Sequence, residues 1–261
     1  MKYRHTFVIC AYKECRYLRE CIESILNQTV KSVIKIVTST PNEYILQMAE
    51  EYELPCIINE IGGISNDWNF AYKQAETPFV TIAHQDDIYL PEYTSELLGY
   101  FRKDEKPLIF FSDYAELRCE GIVKRNRLLQ IKRLMLFPLK NQMFWHSKWI
   151  RRMILSFGCP ICCPSVGYCR KNLPGSIFQQ HFRSCEDWEA WEKLSRMDGG
   201  FVYCPKVLIL HRIHGESETT SIIHDNKRSE EEYSMYRKFW PKSIARFLAY
   251  RYAKSQKSNG I

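Results

Sequence analysis

Residues 5–113 switch repeatedly between two hydrophobic periods, and this alternation restricts the fold more than any other feature of the chain. HTFVICAY (5–12) is a short apolar strand, and ECRYLRECIESILNQ (14–28) sets Leu18, Cys21, Ile22, Ile25 and Leu26 on one helical face. SVIKIVTS (32–39) is again a strand, NEYILQMAEEY (42–52) a helix with Ile45, Met48 and Ala49 inward, and PCIINE (55–60) a third strand. Beyond Gly62-Gly63, residues 67–75 predict a helix entered through Ser65 or Asn66 as N-cap. PFVTIA (78–83) is the fourth strand, PEYTSELLGYF (91–101) a helix with Pro91 in its first turn, and PLIFFSD (107–113) the fifth strand. Such a pattern predicts an α/β fold: a mostly parallel central sheet, flanked by helices and joined by right-handed crossovers. Ligands bind such sheets beyond the carboxyl ends of the strands. Ala11-Tyr12, Thr38-Ser39, Asn59 and His84–Asp87 sit at four of those ends, so one crevice should gather them.

The second half is less regular. Leu128–Phe157 predicts one or two helices with a break at Pro138. CEDWEAWEKLSRMDGG (185–200) predicts a helix with Trp188, Trp191 and Leu194 as its apolar stripe, core anchors rather than sugar platforms, closed by Gly199-Gly200. FVYCPKVLILHRIHGESETT (201–220) gives short strands running into a polar loop, in which His211 packs and His214 leans towards function. Residues 226–256 read as two helices split at Pro241. The chain therefore divides into 1–220, with halves 1–115 and 116–220, and a helical C-terminal extension, 221–261.

Charge distribution narrows the partners. The formal net charge is +7, and no Asp or Glu occurs from Gly121 to Cys185, where twelve Lys and Arg residues lie. That block suits an anionic partner, either nucleotide phosphate, an anionic membrane surface or nucleic acid. In the tail, Ile244, Phe247, Leu248 and Tyr252 alternate with Lys242, Arg246, Arg251 and Lys254, a pattern that serves equally for docking on a membrane or packing on the domain. With no export signal at the N-terminus, the chain is expected in the cytoplasm, peripheral at the inner face of the membrane. Its eleven cysteines are then expected reduced, and the Cys159–Cys169 cluster reads as core rather than a zinc site.

Neither GxGxxG nor GxxxxGK[ST] occurs, so bound phosphates would need another cradle. Asp86-Asp87, at the end of an apolar strand, supplies carboxylates of the kind that hold Mg²⁺ or Mn²⁺ against phosphate oxygens. Glu186-Asp187 opens the Trp-rich helix, where a carboxylate either favours the helix dipole or serves as a general base.

In their order, ICAYKECRYLRECIESILNQT, GISNDWNFAYKQAETPFVTIAHQDDIYLPEY, CPSVGYCR, EDWEAWEKL and VLILHRIHGES resemble the family 2 glycosyltransferases, over roughly residues 5–220. The resemblance implies a GT-A fold and a metal-dependent, inverting transfer of sugar from a nucleotide-sugar donor, with a UDP-sugar the leading choice. The acceptor would be a hydroxyl of a glycan or lipid-linked molecule in cell-surface polysaccharide assembly. It assigns Asp86 to the metal with His214 as a further contact, and Asp87 to support of that site. It makes Asp187 the base with Glu186 orienting it, and it places Ala11, Tyr12, Glu14, Thr38, Ser39 and Asn69 around the nucleotide. Two positions depart from the pattern: His84 replaces the first acid of the DxD motif, and Thr38-Ser39-Thr40 replaces the aspartate that contacts the base. The competing readings are a nucleotidyltransferase on a similar sheet, a basic nucleic-acid-binding module, and a non-catalytic scaffold. The nucleic-acid module leaves both acidic pairs unexplained, and no nucleic-acid partner is expected.

Overall fold

The structure, a computed structural model, describes residues 4–215 and 227–257. The first half runs β1 (His5–Ala11), α1 (Leu18–Leu26), β2 (Val33–Thr38), α2 (Glu43–Glu51), β3 (Cys56–Ile58), α3 (Ile64–Gln74), β4 (Phe79–His84), β5 (Ile88–Tyr89), α4 (Tyr93–Phe101) and β6 (Pro107–Arg118). The second half adds β7 (Gly121–Val123), α5 (Arg127–Leu136), α6 (Lys148–Leu155), β8 (Val166–Cys169), α7 (Glu186–Ser195), β9 (Gly200–Arg212), α8 (Lys227–Arg237) and α9 (Lys242–Lys257). One sheet contains all nine strands, in the order β3-β2-β1-β4-β8-β6-β9-β5, with β7 paired to β6. β3, β2, β1, β4, β6 and β9 run in one direction, while β8, β7 and β5 run against them. The expected mostly parallel sheet is therefore present, with antiparallel β8 seated between β4 and β6.

Packing follows from the two periods. β1 and β4 are covered on both faces, so Phe7, Val8, Ile9, Val80, Ile82 and Ala83 are all buried and no polar alternation appears. α1 and α2 turn Leu18, Cys21, Ile22, Ile25, Ile45, Met48 and Ala49 into that core, as their spacing predicts. Parallel register aligns the strand ends: Ala11 pairs with Thr38, Thr38 with Ile58, and Cys10 with His84. That alignment places four loops at one edge.

Three local expectations change. α3 starts at Ile64, capped by Gly63 at φ 109° rather than by Ser65 or Asn66. A glycine takes that left-handed backbone without a Cβ penalty, while Ser65 Oγ donates to the Gln179 carbonyl and Asn66 Nδ2 to that of Gly62. Pro91 stands before the helix, whose N-cap is Glu92, and its carbonyl accepts the Thr29 N–H at 2.9 Å. Residues 200–212 form one strand instead of several short ones, because the register slips at Ser112–Asp113 and accommodates Pro205-Lys206 as a bulge, where proline's missing N–H costs no ladder bond.

The helical half is held by large side chains. Trp188 and Trp191 are buried, as core anchors should be. Arg151 is buried too, and its guanidinium donates to the carbonyls of Ser195, Met197 and Gly199, closing the C-terminal end of α7. The tail packs on this layer. Tyr236 meets Trp188 edge-on at 5.0 Å, Trp240 Nε1 donates to the Ser156 carbonyl at 2.8 Å, and Tyr252 lies 6.0 Å from Trp188. Ile244, Phe247 and Tyr250 remain exposed on the outer side of α9, beside Lys242, Arg246 and Arg251. Among the described residues no helix is long and apolar enough to cross a membrane. Glu216–Thr220 of the predicted polar loop, and the boundary at residues 220–221, lie outside the described residues.

Candidate active site

The tip of β4 carries the densest chemistry. Ligand-competent atoms of His84, Asp86 and Asp87 lie within 4.8 Å of one another. β9 braces this cluster from a remote stretch of chain. His211 Nδ1 lies 2.9 Å from Asp87 Oδ1, the Arg212 N–H donates to the same oxygen at 2.9 Å, and Arg212 Nε donates to the Asp86 carbonyl at 2.9 Å. His214 Nε2 meets Asp86 Oδ2 at 3.0 Å. Arg212 is itself fixed by Glu20 and by the Tyr17 ring, 4.1 Å from its guanidinium carbon. Trp68 of α3 stacks on the His84 imidazole at 5.2 Å and 15°.

The electrostatics follow from burial against pairing. Burial raises the Asp86 carboxyl, but the His214 hydrogen bond and the charges of His84, His211 and His214 outweigh it, leaving a net shift below the usual value. Burial drives the His84 imidazole down against the pull of both aspartates. His211 moves up, because Asp87 more than offsets its desolvation. Two buried atoms of the cluster, His84 Nε2 and Asp87 Oδ2, have no hydrogen-bond partner among the described residues. Leaving a buried acceptor unsatisfied costs roughly 1–3 kcal/mol, more for a charged group. A divalent cation fits this donor set, since neutral imidazole nitrogen and carboxylate oxygens are ligands that Mn²⁺ accepts.

Asp187 enters from α7. Its Oδ1 accepts the Trp188 N–H at 2.6 Å, and Cys159 Sγ lies 3.6 Å from Oδ2. Burial lifts its carboxyl above the ordinary value, with those two bonds and Lys132 pulling the other way. Glu186 beside it is buried.

The residues expected on the nucleotide side form a second group. Ala11 is buried at the end of β1, and Tyr12 and Glu14 are exposed just beyond it. Tyr12 is pinned by Gln85, which accepts from its N–H and donates to its carbonyl, both at 2.9 Å. Thr38 is buried and accepts the Thr40 N–H, so its hydroxyl serves its own turn. Ser39 Oγ donates to Asp67 Oδ2 at 2.8 Å, and Asn59 Nδ2 donates to Asp67 Oδ1 at 2.7 Å. Asn69 spends its amide on the backbone of Ile177 and Phe178.

Four participants escape a reading of the sequence alone. His84 resembles a lost acid, yet it belongs to the cluster. His211 resembles a packing residue, yet it meets Asp87. Arg212 has no motif of its own. Asp67 restores a carboxylate to the corner where the second strand lacks one. For His211 and Arg212 the available signal was their place at the end of an apolar strand, three and two residues before His214.

The sequence profile of Glycosyl transferase family 2 matches residues 6–158. An uncharacterised glycosyltransferase of Rickettsia prowazekii is 24% identical over 243 residues, covering 89% of this chain and 71% of its own. One from Haemophilus influenzae is 23% identical over 248 residues, covering 85% and 69%. Among solved structures, S. aureus TarS 1-349 in complex with UDP-GlcNAc superposes with TM-score 0.64 at 17% identity, over 94% of this chain and 70% of that one. The mannosyltransferase PcManGT from Pyrobaculum calidifontis, in complex with GDP-Man and Mn²⁺, gives TM-score 0.60 at 15% identity, over 100% and 76%. The architecture is the GT-A fold.

Proposed function

Because this chain belongs to glycosyltransferase family 2, we propose that the β4-tip cluster holds the diphosphate of a nucleotide-sugar donor through a divalent cation, and that Asp187 activates the acceptor hydroxyl. The observation that carries this reading is the pair of unpartnered buried atoms, His84 Nε2 and Asp87 Oδ2, inside a triad of metal-competent side chains. His84, Asp86 and Asp87 would hold Mn²⁺ or Mg²⁺, with His214 and His211 orienting the carboxylates by the hydrogen bonds described. Such a cation supplies positive charge against the departing diphosphate.

The residues of the chain account for the rest. The acceptor O–H gives its proton to Asp187 Oδ2, the oxygen that keeps only the long thiol contact. The acceptor oxygen bonds to the anomeric carbon from the face opposite the leaving group. The bond from that carbon to the diphosphate oxygen breaks with its electron pair, and the configuration inverts. Arg212 ties the end of β9 to the Asp86 carbonyl and so holds the aspartate turn in place. For the donor base, Ser39 and Asn59 lie at the tips of the second and third strands and both donate to the Asp67 carboxylate in the first turn of α3. A carboxylate there can accept the imide N–H of uracil, in keeping with a UDP-sugar as donor. The acceptor is a hydroxyl of a glycan or a lipid-linked molecule.

A thermal-shift panel of nucleoside diphosphates and nucleotide sugars, with and without Mn²⁺, tests the assignment. A ligand at ~100 times its dissociation constant stabilises the fold by about 2.7 kcal/mol. UDP-sugars should shift the midpoint only when the cation is present. Equal shifts with EDTA, or none with any nucleotide, would remove the proposed cluster chemistry.

A further inference from the structure

A cleft of about 550 Å³, lined by none of the aspartate cluster, gathers Lys124, Arg125, Arg133 and Lys140 against residues of β6 and β9. This lies within the range of about 300–1,000 Å³ usual for small-ligand pockets. β9 contributes Tyr203 and Val207. Val207 precedes His211 by four residues on the same strand, so at ~3.3 Å per residue the cleft begins about 13 Å from the candidate active site.

Two groups of cations line it. Arg133 is structural: its Nε donates to Asp113 Oδ2 at 2.6 Å, and its other nitrogens donate to the carbonyls of Lys124 and Tyr114. That bonding consumes the sole acidic side chain of the lining and fixes the wall from which Lys124 and Arg125 project. Lys124, Arg125 and Lys140 are exposed, and none of their side chains has a carboxylate partner among the described residues. Three like charges converging on one concavity repel each other unless an anion enters. Alongside, Leu134 and Phe137 are 74% and 62% exposed, and the Lys140 ammonium lies 5.4 Å from the Phe137 ring centroid. A charged cleft with an apolar rim suits a phosphate attached to a hydrocarbon.

We propose that this cleft is a second anion site, which takes a phosphate or diphosphate group, most naturally one carried on a lipid. Lys124, Arg125 and Lys140 bind the phosphoryl oxygens, and Leu134 with Phe137 meets the attached chain. The site stands on its own geometry and does not depend on the identity of the sugar donor.

The test uses the full chain with divalent ions chelated, so that the aspartate cluster does not capture the probe. Inorganic pyrophosphate is titrated and followed by ³¹P line broadening. Three proteins are compared: wild type, the triple variant Lys124→Ala, Arg125→Ala, Lys140→Ala, and a control with Lys73→Ala, Lys106→Ala, Lys171→Ala, three exposed cations elsewhere. Unchanged thermal midpoints establish that both variants fold. The cleft variant should weaken pyrophosphate at least about tenfold, and the control by less than about twofold, because distant surface charges are screened by salt. Absence of saturable binding to wild type overturns the proposal, as does equal weakening in both variants. A second arm separates the sources by sedimentation with vesicles of phosphatidylcholine, with and without phosphatidylglycerol. Capture that needs phosphatidylglycerol and is lost in the cleft variant supports a lipid phosphate. Equal capture by both vesicles, with pyrophosphate binding intact, supports a soluble phosphate ligand for the same site and overturns the lipid assignment.

Discussion

Asp187→Asn isolates the proposed base with little disturbance elsewhere. The asparagine carbonyl can keep the 2.6 Å bond from the Trp188 N–H, and its NH₂ can face the Cys159 sulfur that now lies 3.6 Å from Oδ2. The start of α7 therefore keeps its local bonding, and what disappears is the basic oxygen. General-base assistance is typically worth ~10²–10⁴ in rate. At about 1.36 kcal/mol per tenfold, that loss corresponds to roughly 3–5 kcal/mol of transition-state stabilisation. Release of nucleoside diphosphate under single-turnover conditions gives the chemical step, and calorimetry gives donor affinity. Turnover should fall by those two to four decades while donor affinity changes by less than about threefold, because a group acting only on the acceptor is absent from donor binding. The wild-type kcat/KM should also decline as pH falls through a value above the usual carboxylate range, since burial lifts this carboxyl and only its ionised form accepts a proton. The variant should lack that limb. Retention of near-normal turnover, or a matching loss of donor affinity, would refute the assignment.

Removing the thiol tests the same carboxylate from the other side: Cys159→Ala deletes a hydrogen bond that holds Asp187 down, so the acidic limb of kcat/KM should move to higher pH. Asp86→Asn should abolish the Mn²⁺-dependent part of the donor-induced thermal shift, and a full shift in the variant would contradict its role. His5 is buried with its pKa lowered to about 3, against 6.5 in the unfolded chain, so the unfolded state alone binds its proton between those values. Stability present above pH 6.5 should thus be lost on acidification towards pH 3, by about 1.4 kcal/mol per unit from this residue. Urea titrations of His5→Gln should show a slope against pH reduced by one proton. Arg151→Ala strands three carbonyls at the end of α7 and should destabilise the fold by about 3–5 kcal/mol in the same assay.

Much of the fold was legible in local pattern because strand and helix periods are set by neighbours within a few residues. The helices 18–26 and 43–51 and the strands of the first half emerge within a few residues of their expected ends. Expectations failed where a distant partner or a special backbone intervened. Gly63 moved the start of α3 by taking a positive φ, and the bulge at Pro205 joined short strands into one. The tail pattern was ambiguous because Leu248 and Tyr252 share a helix with Phe247 and Arg251. Only packing on Trp188 and Ser156 shows which side faces the domain.

For the site, the amino-acid order alone determined that Asp86 and Asp87 end an apolar strand and that Asp187 opens a helix, because both facts concern adjacent residues. It also determined the alternation that makes the strand ends share an edge. Tertiary structure alone decided that His211 and His214, 124 and 128 positions away, close on those aspartates, that His84 has a nitrogen unpartnered among the described residues beside them, and that Asp67 bonds to Ser39 after β2. Hydrogen bonds across such separations depend on register and crossover geometry summed over the whole sheet, which no short window of sequence contains.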